Sequence, residues 1–278
     1  MTKNDNTTKL KIYKIDGDVH ASNILTKYNC ATLNANQKKI IELHVPNYIT
    51  YRDNFKKANG LKKRVELYNL FQKESYRLNR DKNNEEIFPF QSKFLSTIME
   101  EFFKLILTPI AESYNLFCGS IKAYNQLTIE NSITGEPNLI ISEKNQDLAI
   151  YKNIDLKINE KVHTISLPIL SIECKTWLDK TMLEGSASTA FRIKQGVSNA
   201  KFFIVTETYG VGKNVRKPKD IDKIFITKQR MKDDDSYMYD TSFSVIKLIF
   251  DEVQKHIALI NNQLETLIDD SVKLGVIH

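Results

Sequence analysis

Cysteine is scarce in this chain of 278 residues: Cys30, Cys118 and Cys174 are three, odd in number and far apart. That excludes a disulfide scaffold and fits a reducing compartment. Long apolar runs are missing too. The most apolar stretch, Phe102–Ala111, is interrupted by Lys104 and Pro109 and falls short of the roughly 20 residues that span a bilayer. The first ten residues are polar and carry no signal-peptide core, so no membrane is expected as a partner and the cytoplasm is the expected location. The five histidines have no zinc-binding spacing. The glycine-rich GVGKNV at 210–215 lacks the spacing of a phosphate-binding loop and the Ser or Thr after its lysine. Neither repeats nor low-complexity segments are present.

What is there suits a folded protein. Hydrophobic residues make up 41% and charged residues 27%, enough apolar surface for a core and against disorder as the main description. The net charge is +6, and its placement says more than its size. Residues 51–80 hold nine Lys or Arg against three acids, a surplus equal to that of the whole chain. Interleaved with Tyr51, Phe55, Tyr68, Phe71 and Tyr76, these cations suit either a solvated helix face or a nucleic-acid backbone.

Along the chain, residues 1–9 read as a tail. Short β-like runs follow at Leu10–Ile15 and Ile40–Val45, with Pro46 as a turn. Helix formers dominate from Tyr51 to Arg80, broken at Gly60. The polar turn Asp81-Lys82-Asn83-Asn84 divides the chain into an N-terminal region, 1–85, mostly helical and a candidate DNA-binding arm, and a main domain, 86–278. Gln91–Leu107 has helical apolar spacing and ends at Pro109. Strands are expected near Ser120–Tyr124, Asn138–Ser142 and Asp147–Lys152, then a hairpin around Asn159-Glu160-Lys161 and a strand over Pro168–Lys175. Thr181-Met182-Leu183-Glu184 has the form of a capping box, opening a helix to about Ala200. Strands at Lys201–Thr206 and Lys223–Thr227 follow, and a long helix from Ser242 to Asp269. Strand, crossover helix and strand over 168–206 form a βαβ unit with parallel strands.

The residues that point to chemistry are Asp147, Glu173 and Lys175. On a strand over Pro168–Lys175, alternation sends Leu170, Ile172 and Cys174 one way and Ser171, Glu173 and Lys175 the other. A charged end on an otherwise apolar strand needs a reason, because unpaired buried charge is costly. If DLAIYK at 147–152 pairs antiparallel with that strand, Asp147 lies beside Glu173 and Lys175. Two carboxylates so placed suit a hard divalent cation, most plausibly Mg²⁺, with the backbone carbonyl of Cys174 as a further oxygen. Lys175 would position or help deprotonate a water. A purely structural ion pair is the competing reading of the same residues. Trp177 reads as a core or helix-packing residue.

Gln146-Asp147 … Glu173-Cys174-Lys175, with a helix carrying Glu100 and Glu101 before it and a crossover helix after it, resembles the PD-(D/E)xK nuclease superfamily. Gln146 stands where the motif usually has proline. The longer stretch IECKTWLDKTMLEGSASTA at 172–190 is similar to type II restriction endonucleases of the Bpu-ten-I group, relatives of DdeI. The resemblance implies an α/β fold with a restriction-endonuclease-like core, a mixed central sheet flanked by helices in the order αβββαβ. It implies Mg²⁺-dependent cutting of double-stranded DNA at a short specific sequence, with Asp147 and Glu173 as metal ligands and Lys175 as the catalytic lysine. It also implies a glutamate from the first core helix, for which Glu101 is slightly favoured over Glu100. A related subunit follows from the asymmetric sites of that group, although a homodimer fits equally, and a cognate DNA methyltransferase belongs to such a system. Lys180, Lys213, Arg216 and Lys217 are the candidates for DNA contact outside the site. A structure-specific repair or recombination nuclease, and a non-catalytic DNA-binding subunit, are the alternatives.

Overall fold

The computed structural model describes residues 18–83, 85–89, 93–130, 138–158, 161–212, 215–228 and 239–274. The expected tail at 1–9 and the β-like run Leu10–Ile15 lie outside them, as do Lys213 and the Asn159-Glu160 turn. The chain opens with three helices: α1 (Val19–Tyr28), α2 (Ala35–Lys57) and α3 (Leu61–Leu78). Then come α4 (Ser96–Ser113), β1 (Phe117–Glu130), β2 (Asn138–Ile158) and β3 (Lys161–Leu178). The crossover helix α5 (Lys180–Gly196), β4 (Lys201–Tyr209), β5 (Lys223–Ile226) and α6 (Phe243–Leu274) complete it.

The sheet has five strands in the order β1-β2-β3-β4-β5. β1–β2 and β2–β3 pair antiparallel, while β3–β4 and β4–β5 are parallel. The expected hairpin, the βαβ unit over β3-α5-β4 and the αβββαβ order are all present. Alternation on β4 splits the core in two. Phe203 and Val205 join Ile172, Cys174 and the residues of α4 and α6 in one apolar cluster, and Phe202 and Ile204 join Leu183 and Ala190 of α5 in another. Helices thus cover both faces. The larger cluster runs without a break from α1–α3 through α4 to the sheet.

Several local expectations are overturned, each for a physical reason. Ile40–Val45 is helical, because Ile40, Ile41, His44, Val45 and Tyr48 repeat at helical spacing and bury one face. A capping box between Asn34 and Gln37 starts that helix. Pro46 sits inside it and Pro109 inside α4 rather than ending them; each removes one backbone donor that the surrounding packing offsets. The cap of α5 is not Thr181 but Asp179, whose Oδ1 accepts from the Met182 amide at 2.8 Å, and the helix stops at Gly196. Gly196 is where α5 meets the sheet: a Cβ there would fall 2.5 Å from the Asn125 carbonyl oxygen of β1. The five aromatics of the basic segment, Tyr51, Phe55, Tyr68, Phe71 and Tyr76, are buried and offer no surface for stacking on DNA.

A buried ion pair ties the helical layer to the sheet. Glu207 on β4 and Lys228 just past β5 are 0% and 1% exposed, with Nζ 2.8 Å from Oε2. Gln72 Nε2 donates to Glu207 Oε1 at 2.7 Å and Tyr76 Oη to Oε2 at 3.0 Å, both from α3. Removing one charge strands the other in a medium that cannot solvate it. Lys228→Met is therefore expected to lower unfolding stability by about 3–5 kcal/mol in denaturant titration. Adding Glu207→Gln, which keeps an acceptor for Gln72 and Tyr76, is expected to recover part of the loss. Equal stability of Lys228→Met and the wild type would contradict this.

Candidate active site

The site lies where β2 and β3 pair. Near the hairpin the register sets Tyr151 opposite Pro168, but Ile150 faces Leu170, so Ile169 is an extra residue on β3. Pro168 has no amide proton to give to the ladder, and a bulge is where a strand accommodates proline. His256 of α6 bonds to the bulged carbonyl, with Nε2 3.2 Å from Ile169 O. Beyond the bulge Leu148 faces Ile172, which brings Asp147 level with Glu173. On its other edge β2 has an irregularity at the same place, with Gly119 opposite Ala149 and Ile121 opposite Gln146. Ser120 Oγ fills it by donating to the Asp147 carbonyl at 2.6 Å.

The expected convergence of Asp147, Glu173 and Lys175 is present. The Cys174 amide donates to Asp147 Oδ2 at 3.3 Å. Lys175 Nζ is 2.7 Å from Glu173 Oε1, and Lys93 Nζ is 3.5 Å from Asp147 Oδ1. Two cavities, of about 150 and 210 Å³, share Lys93, Asp147 and Lys175 in their walls. Glu100 and Trp177 line the first, and Gln146 and Glu173 the second. Burial works against the Lys175 ammonium, yet the Glu173 carboxylate beside it holds its pKa above the ordinary lysine value. Lys175 is thus a cation in this arrangement, suited to orienting a water or an anion rather than to removing a proton.

The preference for Glu101 over Glu100 is reversed by the geometry. Glu101 turns away from the cavities into the helical layer, where Tyr48 Oη donates to Oε1 at 2.6 Å, Arg52 Nη1 to Oε1 at 2.9 Å and the His20 amide to Oε2 at 2.9 Å. Arg52 also pairs with Asp18. Glu100 lines the first cavity. Burial, and after it the charge of Asp147, push its pKa up to about 8.

Outside the cavities, the candidate DNA contacts are scattered. Lys180 opens α5 at the surface, 3.8 Å from Glu184. Arg216 is exposed, and Lys217 Nζ bonds to the carbonyls of Pro218 and Ile221. None of these three lines either cavity. Lys93 and the cavity position of Trp177 escaped the sequence reading. Lys93 precedes α4 with φ 58°, and nothing in the sequence signals that backbone.

Among the described residues, no three His, Cys, Asp or Glu side chains are gathered as a metal site. The donor set is smaller, two carboxylates. One of its oxygens is unsatisfied: Glu173 Oε2 is buried without a hydrogen-bond partner. A buried carboxylate oxygen left unpaired is costly, and a cation held by Glu173 and Asp147 would satisfy it. A hard cation that keeps most of its waters needs only one or two carboxylates, so the residues fit Mg²⁺.

A mixed sheet covered by helices, with an Asp, a Glu and a Lys on the paired inner strands β2 and β3, defines a restriction-endonuclease-like core. The sequence profile of the Bpu10I (Bpu-ten-I) restriction endonuclease family matches residues 91–269, more than half of the chain, and the chain belongs to that family. The solved structure described as "native BbvCI A2B2 tetramer at low resolution" superposes with a TM-score of 0.65 at 19% identity, covering 87% of this chain and 95% of that one. At that identity the likeness speaks for the fold alone. No curated relative matches the sequence. No helix among the described residues is long and apolar enough to cross a membrane.

The raised pKa of Glu100 has a consequence for stability. The folded state keeps its proton to about pH 8, whereas the unfolded chain loses it near pH 4.3. Glu100 therefore contributes stability fully below its unfolded pKa and loses it as pH rises toward the folded value. In metal-free buffer, Glu100→Gln should melt higher than the wild type at pH 8, with the gap closing by pH 4. Thermal unfolding at several pH values measures this, and a gap independent of pH would contradict it.

Proposed function

We propose that this chain is the cutting subunit of a type II restriction endonuclease, hydrolysing double-stranded DNA at a short specific sequence with Mg²⁺. The observation that carries this reading is the convergence of Asp147 and Glu173, 26 positions apart in the chain, on the paired inner strands β2 and β3 beside Lys175, with Glu173 Oε2 buried and unpaired. Asp147 and Glu173 would hold the metal, with the Cys174 carbonyl oxygen as a third donor. When bound, Mg²⁺ supplies Lewis-acid stabilisation of the phosphate and activation of water. Lys175 presents its ammonium to the phosphate oxygens and orients the water. Glu100 faces the same cavity from α4. The oxygen of water bonds to phosphorus in line as its proton passes to solvent, and the bond to the 3′ oxygen breaks as that oxygen takes a proton from solvent, leaving a 3′-hydroxyl and a 5′-phosphate.

One site cuts one strand, so a second subunit is part of the proposal. The structurally similar BbvCI is described as an A2B2 tetramer, which supports a homodimer or a pair with a related subunit. An enzyme that cuts by sequence inside the cytoplasm also requires a methyltransferase of the same specificity to protect the host chromosome.

Digestion of a plasmid and of a bacteriophage genome with Mg²⁺ tests the assignment, with any subunit encoded beside this chain supplied. The wild type is expected to give discrete fragments. Asp147→Ala, Glu173→Ala and Lys175→Ala should each cut at least roughly 10²–10³-fold more slowly, the scale on which single electrostatic groups act in such sites. Unchanged cutting by these variants would reject the site. Degradation of flaps or junctions without fixed fragments would replace this reading with a repair nuclease, and salt-dependent binding without cutting would replace it with a binding subunit.

A further inference from the structure

The cavity that holds Glu100, Asp147 and Lys175 has an aromatic wall that none of this chemistry uses. Trp177, the single tryptophan of the chain, follows Lys175 by two positions on β3. It lines the cavity that also holds Glu100, Asp147 and Lys175, whereas Glu173 lines the neighbouring one. Its indole borders the 150 Å³ cavity together with Met182 from the first turn of α5, and it is partly exposed. Of the two expected roles, core or helix packing, partial exposure excludes the core.

Gly210 fixes the ring in place. A Cβ there would fall 2.6 Å from Trp177 Cε2 and 3.0 Å from Nε1, so only glycine lets the indole lie against this backbone. The Gly210 amide donates to Leu178 O at 2.8 Å, and Trp177 itself pairs in register with Thr208 of β4. Strand pairing thus holds both the ring and the surface behind it. The result is a rigid apolar plate beside two carboxylates and an ammonium.

A nucleic-acid strand alternates charged phosphates with apolar sugar rings. A site that draws a phosphate toward Lys175 must also receive the sugar joined to it, and among the described residues the aromatic plate in that cavity wall is Trp177. Resting on the reading of this chain as a DNA-cutting subunit, we propose that Trp177 binds the deoxyribose next to the scissile phosphate and so positions that phosphate between Asp147, Glu173 and Lys175.

The test uses the full chain, with any subunit encoded beside it, and a duplex spanning a cut mapped by digestion. Labelling this chain alone with 5-fluorotryptophan gives one fluorine resonance, from Trp177. In EDTA the cut-site duplex is expected to shift that resonance, and a duplex of equal length without the site to shift it less. Trp177→Ala should lose roughly 10–100-fold in kcat/KM, the scale of one aromatic contact, while Trp177→Phe keeps most of it. Gly210→Ala, which displaces the ring, should lose activity in the same direction. If the wild type cuts, Asp147→Ala does not, and Trp177→Ala cuts at the wild-type rate, this inference fails and the nuclease reading stands. An unmoved fluorine resonance with a duplex that gel mobility shows to be bound overturns it equally, with no substitution needed. A wild type that cuts no DNA with Mg²⁺ overturns both.

Discussion

Had the β2–β3 hairpin kept one register throughout, Asp147 would face Ile172 and point with it into the core. One additional residue, Ile169, shifts the ladder by a single step, and in a structure with a period of two such a shift exchanges the faces. Asp147 is thereby level with Glu173 instead of Ile172. Pro168, which cannot donate to the ladder, accounts for the position of the shift, and His256 of α6 holds the bulged carbonyl. The Cys174 amide then locks Asp147 across the strands. The convergence of Asp147 with Glu173 and Lys175 depends on this offset.

The helical layer fixes the third side of the site. Glu100 and Glu101 are neighbours on α4, and both are buried, yet their partners differ completely. Glu101 is saturated by Tyr48, Arg52 and His20 of the N-terminal helices, which fixes the rotation of α4 about its axis. Glu100 is then presented to Asp147 and Lys175, where burial keeps it protonated. The N-terminal helices therefore act on the site through α4, and their aromatics are spent on packing. Glu207 and Lys228 provide a second tie between the same layer and the sheet, next to β3.

The αβββαβ order of the core and the Asp147, Glu173 and Lys175 triplet were legible because each rests on local pattern: alternation on β3, helical spacing in α4, and a crossover helix between two apolar strands. What was not legible depended on contacts across the fold. Pro46 and Pro109 look like stops in sequence, but the packing around α2 and α4 outweighs one missing hydrogen bond. Asp179 and Thr181 are both chemically fit to cap α5, and only the path of the chain chooses between them. The choice between Glu100 and Glu101 could not be made from periodicity, since α4 is buried on both its sheet side and its helical side. Trp177 reads in sequence as a core or helix-packing residue, while Gly210, 33 positions later, decides that its ring lies at the cavity.

If Asp147 and Glu173 form one cation site, replacing Mg²⁺ with Fe²⁺ and adding ascorbate and hydrogen peroxide generates radicals at the bound ion and cuts the nearby backbone. Cuts are expected beside 147 and around 173–175, suppressed by excess Mg²⁺ and abolished in Asp147→Asn. Cuts confined to other regions, or an unchanged pattern in Asp147→Asn, would contradict a shared site.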